Sequence, residues 1–205
     1  MILFADFDEA LVQVEEDNQF LPFVRGEAAR IELKALAVKK CLGEPVDAIV
    51  DPWAAAERVE VRVLGGAYLK RFPKDVQEAT LQLGATRWSA GTVLAGSTAT
   101  IVLNPVHDIR RQRATLAEEL VHLVMGHPPS LIYGSTGMRT YNDDVESEAY
   151  GVGGALLLPY ADLFRLTKRG ISEARIAGMF DVSSRFVAYR INRTGLRRMY
   201  RKRSG

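Results

Sequence analysis

Proline and glycine punctuation in the middle of the chain constrains the fold more than any other feature. Asn104-Pro105 ends a candidate strand, because proline has no N–H to give to a ladder. A helical pattern follows from about Arg111 or Thr115 to Met125, stopped by Gly126 and sealed by Pro128-Pro129. Beyond a loop-like stretch over 130–142, Asp143 or Asp144 can cap a further helix reaching about Leu158, and Pro159 ends it. Before this segment, Ser89 to Ala95 and Thr98 to Leu103 read as two strands joined by a tight Ala95-Gly96-Ser97 turn.

Upstream, Ile31, Ala35, Val38 and Leu42 recur at helical spacing from Glu27 onward, with Gly43 as the stop. Asp51-Pro52-Trp53 reads as an N-cap with proline at the first helical position, opening a short helix to about Arg58. Val59 to Val63 alternates apolar and charged residues, as a strand does. Residues 65–87 give mixed signals and stay unassigned. The expected fold class is α+β, with a small, mainly antiparallel sheet (Val59–Val63, Ser89–Ala95, Thr98–Leu103) against helices, followed by a helix-turn-helix.

Composition narrows the class. Of 205 residues, 47% are apolar and 25% charged, which excludes a disordered tail, a collagen-like repeat and a disulfide-stapled mini-domain. The single Cys41 cannot form an internal disulfide, so a reducing cytoplasm is the expected compartment. The acidic N-terminus lacks the basic start of a signal peptide, and no apolar run approaches a membrane span. The net charge of +2 conceals an asymmetry. Residues 165–205 hold twelve basic and two acidic residues, a charge of +10, leaving −8 for residues 1–164. The chain therefore divides into an acidic N-terminal arm (1–25), a body (26–164) and a basic region with a tail (165–205).

Ala117-Glu118-Glu119-Leu120-Val121-His122-Leu123 is the segment suited to chemistry. Residues four apart share a helix face, so Glu118 and His122 point the same way. A zincin uses this spacing for two metal ligands, with a Glu after the first ligand to polarise the metal-bound water. The usual first ligand is histidine, and here it is Glu118. Thr115 to Glu118 also fits a capping box, in which Glu118 would only return to a helix-initiating amide. Glu146 and Glu148 lie on the next helix, after a long loop. Gly151 to Gly154 lacks the Gly-Lys-Ser/Thr of a phosphate loop and reads as close helix packing. Cys41 reads as a small buried side chain, and His107 as a surface residue of the loop before the helix.

Asn104-Pro105, Arg111 to His127, and Glu146 to Pro159, with its Glu-Ala-Tyr and Leu-Leu-Leu-Pro, resemble the ImmA/IrrE family of metallopeptidases. The likeness covers about 27–196. It implies a zincin-like metallopeptidase domain over 26–164, with Glu119 as general base and His122 and Glu148 as metal ligands. Glu118 stands where the family has histidine, and Tyr150 where it has asparagine. Glu118 could ligate directly, His127 could swing in because Gly126 ends the helix, or the cleft could hold no metal and serve as a relic. The implied cofactor is zinc, with manganese admitted by an oxygen-rich site; a second anionic ligand makes a bound water harder to deprotonate. The resemblance implies a helix-turn-helix repressor as substrate or partner, in a stress or mobile-element response.

Ile171 to Ile191 has the layout of a helix-turn-helix, with an Asp181-Val182-Ser183 turn and Ser183 or Ser184 capping the second helix. Arg185, Arg190, Arg193, Arg197 and Arg198 are the candidate nucleic-acid contacts, with Arg185, Arg190 and Arg193 expected on the exposed side. The competing reading is a non-catalytic regulator that binds DNA or a repressor and keeps the fold as a scaffold.

Overall fold

The computed structural model describes residues 6–17, 25–65, 68, 70–71, 73–75, 77–78, 88–96, 98–128, 132–133, 138–139 and 142–197. Four helices and a three-stranded sheet position the site. Helix α1 spans Phe7–Asp17, α2 Glu27–Cys41 and α3 Pro52–Arg58. Strands β1 (Arg62–Leu64), β2 (Ala90–Ala95) and β3 (Thr98–Leu103) lead into α4, Ile109–Val124. A two-stranded pair, β4 (Ile132–Tyr133) and β5 (Met138–Arg139), precedes α5 (Asp143–Leu157). Helices α6 (Tyr160–Lys168), α7 (Glu173–Phe180) and α8 (Ser184–Arg193) complete the described chain.

The strand order is β1-β3-β2. β2 pairs antiparallel with β3, from Ala90 opposite Leu103 to Ala95 opposite Thr98, across a turn that puts Gly96 at φ 59°. β1 pairs with β3 in parallel, Arg62 opposite Thr100. The sheet is thus mixed, where the sequence reading expected it mainly antiparallel. The first strand also starts three residues later than the Val59 to Val63 alternation suggests. The end of α3 consumes Val59 to Val61: Glu60 takes φ 58°, its N–H bonds the Glu57 carbonyl, and the Val61 N–H bonds that of Ala56. That is a Schellman ending with glutamate where glycine is usual.

Helix starts follow side-chain caps. Asp51 accepts from the Trp53 N–H, with Pro52 in the first turn. Asp108 accepts from the Arg110 and Arg111 amides, so α4 begins earlier than the alternatives Arg111 and Thr115. Thr115 is buried inside the helix, which removes the capping-box reading of Glu118. Asn142, one residue before the expected Asp143 or Asp144, accepts from the Asp144 and Val145 amides and starts α5.

The main core joins α2, α3, the sheet, α4 and α5 through residues such as Val38, Ile101, Leu116, Leu120 and Leu156. A second cluster ties α6, α7 and α8 to Ala117 and Leu157. Cys41 is buried, as read. The glycines of α5 do pack closely. A Cβ on Gly153 would lie 3.0 Å from the Glu118 amide nitrogen, and one on Gly151 would lie 3.2 Å from Ile31. Among the described residues no helix is long and apolar enough to cross a membrane.

Candidate metal centre

Glu118 and His122 share one face of α4, and the backbone contact at Gly153 brings α5 against that face. Glu146 lies seven residues, or about two turns, before Gly153 and so on the same side of α5. One ligand atom each from Glu118, His122 and Glu146 lies within 4.8 Å of the others, and all three residues are half-buried. His122 Nε2 stands 3.6 Å from Glu146 Oε2.

Burial pushes the Glu118 carboxyl up to about 8, with the charges of Glu119 and Glu146 adding to it. Glu119 is turned about 100° around the helix from Glu118. There it meets the sheet: the Thr92 hydroxyl of β2 donates to Glu119 Oε2 at 2.6 Å. Thr92 was not among the sequence candidates, since a lone strand threonine carries no motif.

Glu148, the expected carboxylate ligand, is not in this cluster. Two positions on a helix differ by roughly 200°, so when Glu146 faces α4, Glu148 faces α2. There it pairs with Lys34 and lies 3.5 Å from His127 Nε2. The signal that could have found Glu146 was its seven-residue spacing to Gly153. His127 is likewise outside this cluster. Its Nδ1 sits 3.0 Å from His122 Nδ1, behind the ring edge that faces Glu146. His107, expected at the surface, is instead buried on the loop before α4, with no hydrogen-bond partner for either ring nitrogen among the described residues. Tyr150, at the family's asparagine position, packs its ring 4.8 Å from Tyr189 and 6.3 Å from Phe186, joining α5 to α8.

The basic segment is partly spent inside the molecule. Arg190, expected on the exposed side, is 1% exposed. It donates to Glu32 at 2.5 Å and to the Leu158 carbonyl, so it cannot meet phosphate. The i to i+4 spacing that separates it from Phe186 keeps it on the core face of α8. Arg193 pairs with Glu27 and Arg197 with Glu173 at the surface. Arg185 is exposed, and Arg198 lies outside the described residues.

A family model described as the IrrE N-terminal-like domain (Peptidase_M78) matches residues 70–192, more than half of the chain. The chain belongs to this family. No curated protein and no solved structure matches it. The IrrE-like span contains α4, α5 and the whole candidate centre, whereas α2, which supplies Lys34 and Glu32, precedes it.

Peptidases of this kind are generally zinc-dependent, and the donor set fits such an ion. Ligand atoms around one ion at roughly 2.0–2.2 Å stand no more than about 4.4 Å apart. Small side-chain rotations of half-buried groups bring 4.8 Å to that value. Two carboxylates and one imidazole match both zinc and manganese preferences, so the donor set does not choose between them.

Proposed function

We propose that this IrrE-like chain is a metal-dependent peptidase whose ligands are Glu118, His122 and Glu146, with Glu119 as general base. The convergence of those three ligand atoms beside Glu119 supports this reading more than any other observation. When bound, a divalent ion supplies Lewis acidity to a water and a peptide carbonyl. Glu119 takes the proton from the attacking water and delivers it to the leaving amine. The Thr92 hydroxyl holds one Glu119 oxygen and leaves the other for that proton. β2 is an outer strand of its sheet among the described residues, and Val93 and Leu94 on it are exposed. Its open edge can take an extended peptide by strand addition, which presents the peptide to Glu119 beside Thr92.

By family resemblance the substrate is a helix-turn-helix repressor, cleaved in a stress or mobile-element response, and the compartment is the cytoplasm, where the lone Cys41 stays reduced. Elemental analysis of the purified protein tests the centre. About one equivalent of zinc or manganese is expected, and less than about 0.1 equivalent with no uptake on adding either metal overturns it. Glu119→Gln is expected to abolish cleavage of the repressor and keep the metal.

A second reading rests on α7 and α8. Ser183 caps α8 after a left-handed Asp181, and Arg175 and Arg185 are exposed on the two helices. In this reading α7 and α8 form a helix-turn-helix that holds DNA or a repressor, and the cleft is a scaffold. Nucleic-acid binding without any metal uptake would favour it.

A further inference from the structure

Behind His122, away from Glu118 and Glu146, lies a chain of polar groups that the proposed reaction does not use. His122 Nδ1 is 3.0 Å from His127 Nδ1, and the two rings meet edge to face at 74°. His127 Nε2 is 3.5 Å from Glu148 Oε2, and the other oxygen of Glu148 pairs with Lys34 of α2. The His127 side chain is only 9% exposed.

The end of α4 delivers His127 to this place. Gly126 takes φ 65°, its N–H bonds the Leu123 carbonyl, and the His127 N–H bonds the His122 carbonyl at 3.0 Å. In a Schellman ending the second residue past the cap folds back onto the third residue from the helix end, which here is His122. Five residues of sequence separation, which would put two side chains on different helix faces, therefore become a direct contact.

We infer that His127 is a positioning residue for His122. An imidazole that offers Nε2 to an ion must carry its proton on Nδ1, and a fixed acceptor for that proton sets both tautomer and ring orientation. His127 Nδ1 is that acceptor. Its own proton then resides on Nε2, facing the Glu148 carboxylate, which Lys34 holds from α2. Glu148 thus serves the centre from behind, through His127, rather than as a ligand. The inference rests on the proposed Glu118, His122 and Glu146 centre.

Zinc and cobalt affinity of the full chain, measured against a chelator, tests it. His127→Phe keeps a ring and removes the acceptor, and is expected to weaken binding about 10–100-fold. His127→Asn restores a polar atom at the Nδ1 position and is expected to stay within about threefold of the parent. The half-exposed Glu148→Met, which costs the core little, is expected to weaken binding about 3–10-fold and to alter the visible spectrum of the cobalt form. If the parent binds and both His127→Phe and Glu148→Met bind as tightly, His127 does not position His122, and the centre stands without it. Should His127→Phe fail to fold by circular dichroism, an unchanged affinity in Glu148→Met alone overturns the inference. If the parent takes up neither metal, the centre and the inference fall together.

Discussion

At the scale of single residues, Arg190 shows how burial decides what a charge can do. Its guanidinium, Glu32, the Leu158 carbonyl and the Tyr160 amide form one buried group, since Glu32 also accepts from the Tyr160 N–H at 3.1 Å. Arg190→Ala strands the Glu32 carboxylate inside the protein, which costs about 3–5 kcal/mol. The expected fall in Tm is roughly 6–20 °C by calorimetry. Replacing Arg190 and Glu32 together by methionine recovers only part of the loss, because Tyr160 and Leu158 then lose their partners. His107 supplies a pH dependence. Burial, with the nearby Arg111 charge, holds its imidazole below the ordinary 6.5. Above 6.5 both folded and unfolded chains keep it neutral. As pH falls below 6.5 the unfolded chain gains a proton that the folded chain refuses, so stability drops. His107→Leu removes a buried ring whose nitrogens have no hydrogen-bond partner among the described residues, and urea midpoints at pH 7.5 and 5.5 are expected to differ less in the variant than in the parent.

Between elements, the decisive contact is α5 on α4. A methyl group on Gly153 would press within 3.0 Å of the Glu118 amide nitrogen and 3.2 Å of the Ala117 carbonyl carbon, and backbone cannot rotate away as a side chain can. Gly153→Ala is expected to cost about 1–3 kcal/mol. By pushing Glu146 off Glu118 and His122 it should also weaken zinc binding. Gly178, exposed within α7 with nothing within 4 Å, is the control: alanine there is expected to stabilise by about 0.5–1 kcal/mol and leave zinc binding alone. The same contact explains how far the site was legible from the chain. Glu118, Glu119 and His122 follow from spacing, because one helix fixes their mutual directions. Glu146 against Glu148 did not, because a motif states residue order, whereas the phase of α5 on α4 is a tertiary fact set at Gly153. The cap at Asp51, the hairpin turn at Gly96 and the helix stop at Gly126 were readable from local chemistry. The parallel pairing of β1 was not, because a three-residue strand carries no mark of its partner and glutamate is a poor signal for the left-handed turn at Glu60.

Over the whole molecule, the +10 of residues 165–205 overstates the charge that a partner can meet. Arg190 is neutralised in the core, and Arg165, Arg193 and Arg197 face Asp162, Glu27 and Glu173. Arg169, Arg175 and Arg185 remain exposed, with no ion pair among the described residues. On the reading in which this region holds DNA, non-specific duplex binding reports this difference, because each phosphate neutralised adds about −0.9 to the slope of log affinity against log salt. Arg185→Ala is expected to make the slope shallower by about 0.9. Arg193→Ala should change it less, since Glu27 competes with phosphate for that guanidinium. Titrations of each variant with a mixed-sequence duplex from about 50 to 200 mM salt measure both slopes. An affinity that does not fall across that range would remove phosphate contacts from the account. The exposed arginines would then be left to an acidic protein surface.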